Sequence, residues 1–419
     1  MRDRKVRIVF AASLAALCTQ PVWQARADVV TEWNAIALNA TAIPPNSILQ
    51  SRVLAIVHGA IYDAVRAVDG KSAAYAVDVK APAGTSIEAA VAAAAHGTLV
   101  RLAPAQKPVL DAALTTTLAK IADERGKGDG ISVGEQIAEK IVALRRSDQS
   151  TASATFTPKP GAGLYQPTPP HSMPAILPQW GAVTPFVLRS RSGVQFNGPP
   201  AIASAEFARD FAEVKRVGKR DSATRTADQT AAAIFWTVQT AVPWHAAARA
   251  ASAAKGLSVS DNARLFALLS MATADSQIVA FDEKYKRPHW RPVTAIRAAA
   301  NLNVAPLEGD PNWEPLLGTP PHPEYPSAHA VFSGAAETVL KGFFGTDVVR
   351  FSVTSPPIFG VTRTYSRFSE MAEEVDNARV WGGIHFRSAD KDGSAVGRKI
   401  GEIVMRDFPK AAEHLAAQP

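Results

Sequence analysis

YPSAHAVFSGAAETVLKGFF, Tyr325 to Phe344, opens with a proline and a hydroxyl residue and then continues as one long helical run. That order is a helix-start signature. At such a start the first backbone N–H groups lack partners and the positive end of the helix dipole is exposed, which suits a phosphate-like anion. Ser327 taken alone reads as an ordinary N-cap. His329, inside the first turn, faces the same space as the anion would, and this makes the helix start a candidate site.

Two neighbouring stretches carry compatible chemistry. KYKRPHWRP, Lys284 to Pro292, ends a helical run, because Pro288 cannot lie in a helix interior. The helix should stop near Lys286, leaving Lys284 in its last turn and Arg291 on the extended exit. ARVWGGIH, Ala378 to His385, places His385 six residues after Arg379, with two glycines between them that let backbone approach closely. Lysine offers a point charge and arginine a planar fork for two oxygens. Lys284, Arg291 and Arg379 are therefore candidate anion ligands, while Lys286 and Arg287 read as solvated surface groups.

The rest of the chain reads as helix. Helices are expected over Asp28–Ala42, stopped by Pro44-Pro45, and from a Ser47 cap to Gly70, with Leu54, Val57, Ile61 and Val65 on one face. Others are expected over Ser86–Leu102, Lys107–Asp123, Ser132–Arg146, Ser204–Val217, Ser260–Lys284, Ser366–Trp381 and Gly393–Asp407. Thr226-x-x-Gln229 is a capping box opening one more. Strand signals are scarce. The fold expected is all-α, two packed helical bundles over residues 28–149 and 201–419. Residues 150–200, rich in Pro, Ser, Thr and Gly, join them as a connecting segment or as a wall of the site entrance.

Residues 1–27 read as a cleaved signal peptide: a basic start, the apolar run Ile8–Leu17, and Ala25-Arg26-Ala27 as a small-x-small site. The chain is then expected to be secreted or periplasmic. Cys18, the sole cysteine, falls in this leader, so no disulfide is expected. The leader holds five Lys/Arg and one Asp, so the formal charge of +7 falls to +3 without it. That balance gives no reason to invoke nucleic acid. No later segment reads as apolar for long enough to span a membrane. Oligomeric state is not legible.

The three stretches resemble the signature Lys-x6-Arg-Pro, Pro-Ser-Gly-His and Ser-Arg-x5-His shared by vanadium-dependent haloperoxidases and type 2 phosphatidic acid phosphatases. Here it stands as Lys284…Arg291-Pro292, Pro326-Ser327-Ala328-His329 and Ala378-Arg379…His385. WNAIALNA (Trp33–Ala40) and VLAIVHGAIYDAV (Val53–Val65) are similar to the secreted bacterial branch of the haloperoxidases, so the resemblance spans most of the chain after the leader. It implies a vanadium haloperoxidase or acid phosphatase-like helical fold. It also implies that Lys284, Arg291 and Arg379 neutralise the oxygens of vanadate or phosphate, assisted by Ser327 and the N–H of Ala328. His385 would ligate vanadium, or act as nucleophile in a phosphatase, and His329 would be the acid–base residue. Lys284 would also activate peroxide. His322, as a candidate halide or entrance residue, points to bromide. The implied enzyme is a vanadate-dependent haloperoxidase using peroxide and halide. The alternatives are a secreted acid phosphatase that forms a phosphohistidine from a phosphate ester without a cofactor, and a degenerate oxyanion-binding protein. Three positions depart from the pattern: Ala328 for glycine, Ala378 for serine, and Ala389 where an aspartate is expected. Asp390, one residue later, is the candidate replacement that would orient a histidine.

Overall fold

The computed structural model describes residues 28–43, 46–189, 193–299, 307–354 and 361–408. The leader and the Pro44-Pro45 stop lie outside the described residues. Asp28 caps α1 (Val29–Ala40) through the N–H of Thr31. Asn46, not Ser47, caps α2 (Ser47–Asp69), accepting from Ile48 and Leu49, and Gly70 closes it in the left-handed region. Ser86 caps α3 (Ile87–Leu102), and α4 (Lys107–Leu118) follows.

The next helix, α5 (Glu124–Leu144), starts well before the expected Ser132. Gly126, Gly128 and Gly130 mask its beginning, because glycine weakens a helical reading. Tertiary contact reverses that preference. A Cβ on Gly134 would fall 2.4 Å from the carbonyl oxygen of Ala90 on α3, so α3 and α5 can touch this closely only without a side chain there.

The second half begins with α6 (Ala205–Val217) and α7 (Ala227–Phe235), the latter opened by the Thr226/Gln229 capping box. Then come α8 (Ala241–Lys255), the 28-residue α9 (Val259–Lys286), and the short α10 (Pro292–Ala298), which begins with proline in its first turn. After α11 (Ala328–Phe344), two antiparallel strands, β1 (Val348–Thr354) and β2 (Thr362–Arg367), form a hairpin. The sequence reading passes over this hairpin, although Val349, Phe351 and Val353 alternate inward at period two. α12 (Phe368–Trp381) and α13 (Arg387–Asp407) complete the chain, α13 starting six residues before Gly393.

One continuous apolar core runs from Val29 to Phe408, with α9 against α2 on one side and α11 on the other. A smaller cluster gathers Phe207, Phe211, Trp290, Trp313 and Phe386 beside the Arg291 segment. The expectation that no later segment could span a membrane needs correction. Both α2 and α9 are long and apolar enough by length and composition, but each is mostly buried inside the protein. A helix that is apolar all round is what a large protein core requires as well.

The close crossing of α11 and α13 depends on Gly397, where a Cβ would lie 2.1 Å from the carbonyl oxygen of Val331. Replacing Gly397 with valine should destabilise the fold by about 1–3 kcal/mol, the usual range for forcing volume into a packed interior. A lower midpoint in urea unfolding would show it; an unchanged midpoint would contradict this account of the crossing.

Candidate functional site

Lys284 lies in the last turn of α9, where free carbonyls favour a cation. It is fully buried. Nζ donates to Pro323 O at 2.8 Å, Glu324 O at 2.9 Å and Pro326 O at 2.5 Å. An ammonium has three protons, so all of them hold the chain just ahead of Ser327. Burial and, next, Arg291 push the lysine pKa well below its ordinary value. Three acceptor carbonyls around one nitrogen nevertheless fit only the ammonium form. Lys284 therefore supplies charge and fixes the loop.

Arg291 stands at the N-cap position of α10, also fully buried, and ties the loop to the third stretch. Nε donates to His322 O at 2.9 Å and Nη1 to Ile384 O at 2.8 Å. Nη2 lies 3.0 Å from His322 Nδ1, and Nη1 lies 3.2 Å from His385 Nε2. Guanidinium can only donate, so His385 Nε2 must be unprotonated; His322 Nδ1 also lies 3.1 Å from Pro323 O, an acceptor, so its proton is contested between the two contacts. Burial lowers the Arg291 pKa to about 10, leaving it cationic at neutral pH. His322 is thereby placed against Arg291 and over Phe281, at 7% exposure, and not on an open surface. Burial, then Lys284 and Arg291, hold its pKa well down.

The carboxylate that orients a histidine here is one the sequence reading missed. Glu324 Oε1 lies 2.8 Å from His385 Nδ1 and accepts the N–H of Phe386 at 3.0 Å. His385 therefore carries its proton on Nδ1 and turns the lone pair on Nε2 toward Arg291, whose Nη1–H it accepts at 3.2 Å. Burial raises Glu324 to about 7, against the opposing effects of the Phe386 N–H, Arg291 and Lys284. Its other oxygen, Oε2, is buried without a partner. Because Oε1 already accepts two bonds, a proton taken up by Glu324 goes to Oε2, and the His385 tautomer is unchanged. Only the position of Glu324, between Pro323 and Tyr325 inside the richest stretch, hinted at this role.

Ser327 occupies the N-cap position of α11 but makes no capping bond, and its buried hydroxyl has no hydrogen-bond partner. The start of the helix, at Ala328, His329 and Ala330, is thus left without a side-chain cap. The Ser327 N–H donates to Ala389 O at 3.2 Å, which locks α11 to the start of α13. Asp390, in the first turn of α13, lies near Ser327, yet both its oxygens lack hydrogen bonds of normal geometry. Burial and then Asp376 raise its pKa well above the usual carboxylate range. Arg379, in the last turn of α12, donates Nη1 to Trp236 O at 3.0 Å, while its buried Nε has no partner. Its pKa falls to about 10 through burial, with Asp390 acting in the opposite direction.

His329 alone among these residues is partly exposed, and it makes no hydrogen bond among the described residues. Burial, then Arg379, Lys284 and Arg291, hold its pKa well below 6.5. The structure thus brings Lys284, Arg291, Ser327, Ala328, His329, Arg379, His385, His322 and Asp390 together. Two donors, Ser327 Oγ and Arg379 Nε, are buried and free beside an uncapped helix start, and three cations face two carboxyl groups that resist ionisation. That charge excess, those free donors and an unprotonated His385 Nε2 suit a tetrahedral oxyanion.

The glycines of the third stretch serve packing. A Cβ on Gly383 would fall 2.4 Å from Gly218 O, beyond the end of α6. The Pro-rich segment is ordered against the site loops. Tyr165 N–H donates to Pro288 O, Trp290 N–H to Gly163 O and Ile176 N–H to Pro321 O. Tyr165 is buried with a hydroxyl lacking a partner, close enough to Arg291 to feel its charge.

Residues 264–413, which hold every one of these motifs, match the family model of the VCPO second helical-bundle domain. The fold as a whole is similar to the crystal structure of a bacterial vanadium-dependent iodoperoxidase, with a TM-score of 0.77 and 26% identity over 90% of this chain and 95% of that one. This chain is a relative of the vanadium haloperoxidases. Vanadium chloroperoxidase of Curvularia inaequalis is 36% identical over 94 residues, 20% of this chain and 15% of that protein's length. An apo-type bacterial vanadium-dependent chloroperoxidase shares the fold, with a TM-score of 0.70 and 16% identity over 89% of this chain and 96% of that one.

In this haloperoxidase relative the Glu324–His385 bond has a direct test. Glu324→Ala should weaken orthovanadate binding about 10–100-fold, the usual effect of removing a carboxylate that orients a ligand histidine. Glu324→Gln, which keeps an acceptor oxygen, should weaken it less. Nitrogen-15 NMR of His385 should show the Nδ1–H tautomer in the native protein and in Glu324→Gln, and a mixture in Glu324→Ala; one tautomer in all three would contradict the assignment.

Proposed function

We propose that this chain is a vanadate-dependent haloperoxidase that oxidises bromide with hydrogen peroxide outside the cytoplasm. The observation that carries this reading is the pair of buried, unpartnered donors, Ser327 Oγ and Arg379 Nε, beside the unprotonated Nε2 of His385. Vanadate would be held as an anion, by charge from Lys284, Arg291 and Arg379, hydrogen bonds from Ser327 and the N–H of Ala328, and one nitrogen from His385. When bound, vanadate supplies Lewis-acid activation of peroxide without changing oxidation state.

The net reaction converts bromide, hydrogen peroxide and a proton to hypobromous acid and water. Bromide loses two electrons and peroxide gains them, so one proton must be delivered. His329 would hold that proton: it lies in the first turn of α11, is partly exposed, and makes no hydrogen bond among the described residues. Burial, and then the three cations, hold its pKa well below the ordinary histidine value in the free protein. An anion among them would cancel part of their field and raise its pKa toward the range useful for proton transfer.

The decisive experiment is bromination of an organic acceptor by the purified protein loaded with orthovanadate, with phosphate-ester hydrolysis assayed in parallel. Bromination should require vanadate, peroxide and bromide, and should disappear in His385→Ala. Hydrolysis without bromination, inhibited by vanadate, would replace this reading by a phosphatase in which His385 Nε2 is the nucleophile. Neither activity, with no vanadate binding, would sink both. Proton NMR of His329 should show its pKa rising when vanadate or phosphate is added; an unmoved pKa would contradict its place beside the anion.

A further inference from the structure

A second charged pocket lies far along the chain from the oxyanion cage, between α1, α4 and α8. Its volume is about 790 Å³, within the range of small-molecule sites. The walls are largely apolar, with Ala35, Ile36, Ala113, Ala253 and Leu257 among them. Four charged residues line it, Asp28, Glu32, Lys120 and, on α8, Arg249. The Arg249 guanidinium is partly buried and, among the described residues, makes one hydrogen bond, from Nη1 to Asn34 Oδ1.

No carboxylate within ion-pair distance balances Arg249 among the described residues, and burial is the sole cause that lowers its pKa. The other charges of the pocket are committed. Glu32 pairs with Lys120 at 3.1 Å. Asp28 accepts from the N–H of Thr31 and from Asn262 Nδ2. Behind Arg249, Asn34 Nδ2 lies 2.8 Å from His58 Nε2 and 2.7 Å from His245 Nδ1. Burial keeps both imidazoles neutral, His58 at about 3, so neither changes the balance. The Asn34 network holds the guanidinium in place and leaves four of its five N–H groups unused.

We propose that this pocket binds a small monocarboxylate with an apolar body. The planar fork of Arg249 fits a carboxylate through two parallel hydrogen bonds, and the alanine-rich walls take the hydrocarbon. A single negative charge matches the unpaired guanidinium, on which Asp28, the pocket's unpaired carboxylate, does not act. A dianion such as phosphate would carry more negative charge into a pocket already lined by Asp28 and Glu32. The cage of the proposed peroxidase plays no part in this site, so either can fail without the other.

Octanoate is the probe, titrated calorimetrically into the purified protein, with octanol and inorganic phosphate as comparisons. Octanoate should bind saturably and raise the melting temperature, with octanol and phosphate each at least about tenfold weaker. Arg249→Gln should weaken octanoate by about tenfold or more. Ala253→Phe, at the exposed rim of the pocket one helical turn from Arg249, should weaken octanoate about tenfold while the circular dichroism spectrum stays native. Absence of saturable octanoate binding to the native protein overturns the proposal. So does octanol binding as tightly as octanoate, or undiminished octanoate binding in a folded Ala253→Phe variant.

Discussion

Burying three cations within one helical core is the constraint that organises this protein. A charge removed from water must find compensating dipoles or counter-charges, or the fold loses several kcal/mol. Lys284 and Arg291 resolve this with carbonyl oxygens. Between them they hold Pro323, Glu324, Pro326, His322 and Ile384, so the loops that shape the site exist in their observed form because the cations need acceptors. Arg379 is less fully served: its buried Nε, like the Ser327 hydroxyl, has no partner. The remaining positive field is what an anion would neutralise.

The same field sets the states of the histidines. Arg291 faces one nitrogen of His322 and one of His385, and the one on His385 is made to present its lone pair. Glu324 completes the arrangement by holding the proton of His385 on the far side of the ring. His329 feels the field but makes no hydrogen bond among the described residues. Three histidines of the same intrinsic chemistry thus sit in three environments through differing contacts with the same cations.

The helical framework that makes this possible relies on small residues. Alanine-rich faces and Gly134 and Gly397 bring helices close enough for main-chain contact. Close packing also explains why two helices apolar enough for a membrane lie inside the protein: α9 is surrounded by α2 on one side and α11 on the other, and carries Lys284 from the middle of the core to the edge of the site.

Local signals were sufficient for much of this. The proline after Arg287 stopped α9 at Lys286, the Thr226 capping box opened α7, and three short motifs held the three cations, Ser327 and both histidines, since spacing along a helix or loop is a local property. What spacing could not reveal were relations across the fold. Helix α5 was hidden by glycines that make sense only against α3, and the β1–β2 hairpin was passed over because its alternation is short. Asp390 looked like the orienting carboxylate by proximity in sequence to His385, whereas Glu324, 61 residues earlier, makes the bond because Lys284 draws the 323–326 loop across the site. The sequence by itself determined which charged and polar groups are available; only the tertiary structure decided which of them are left without partners, because hydrogen-bond satisfaction is a property of the whole packed chain.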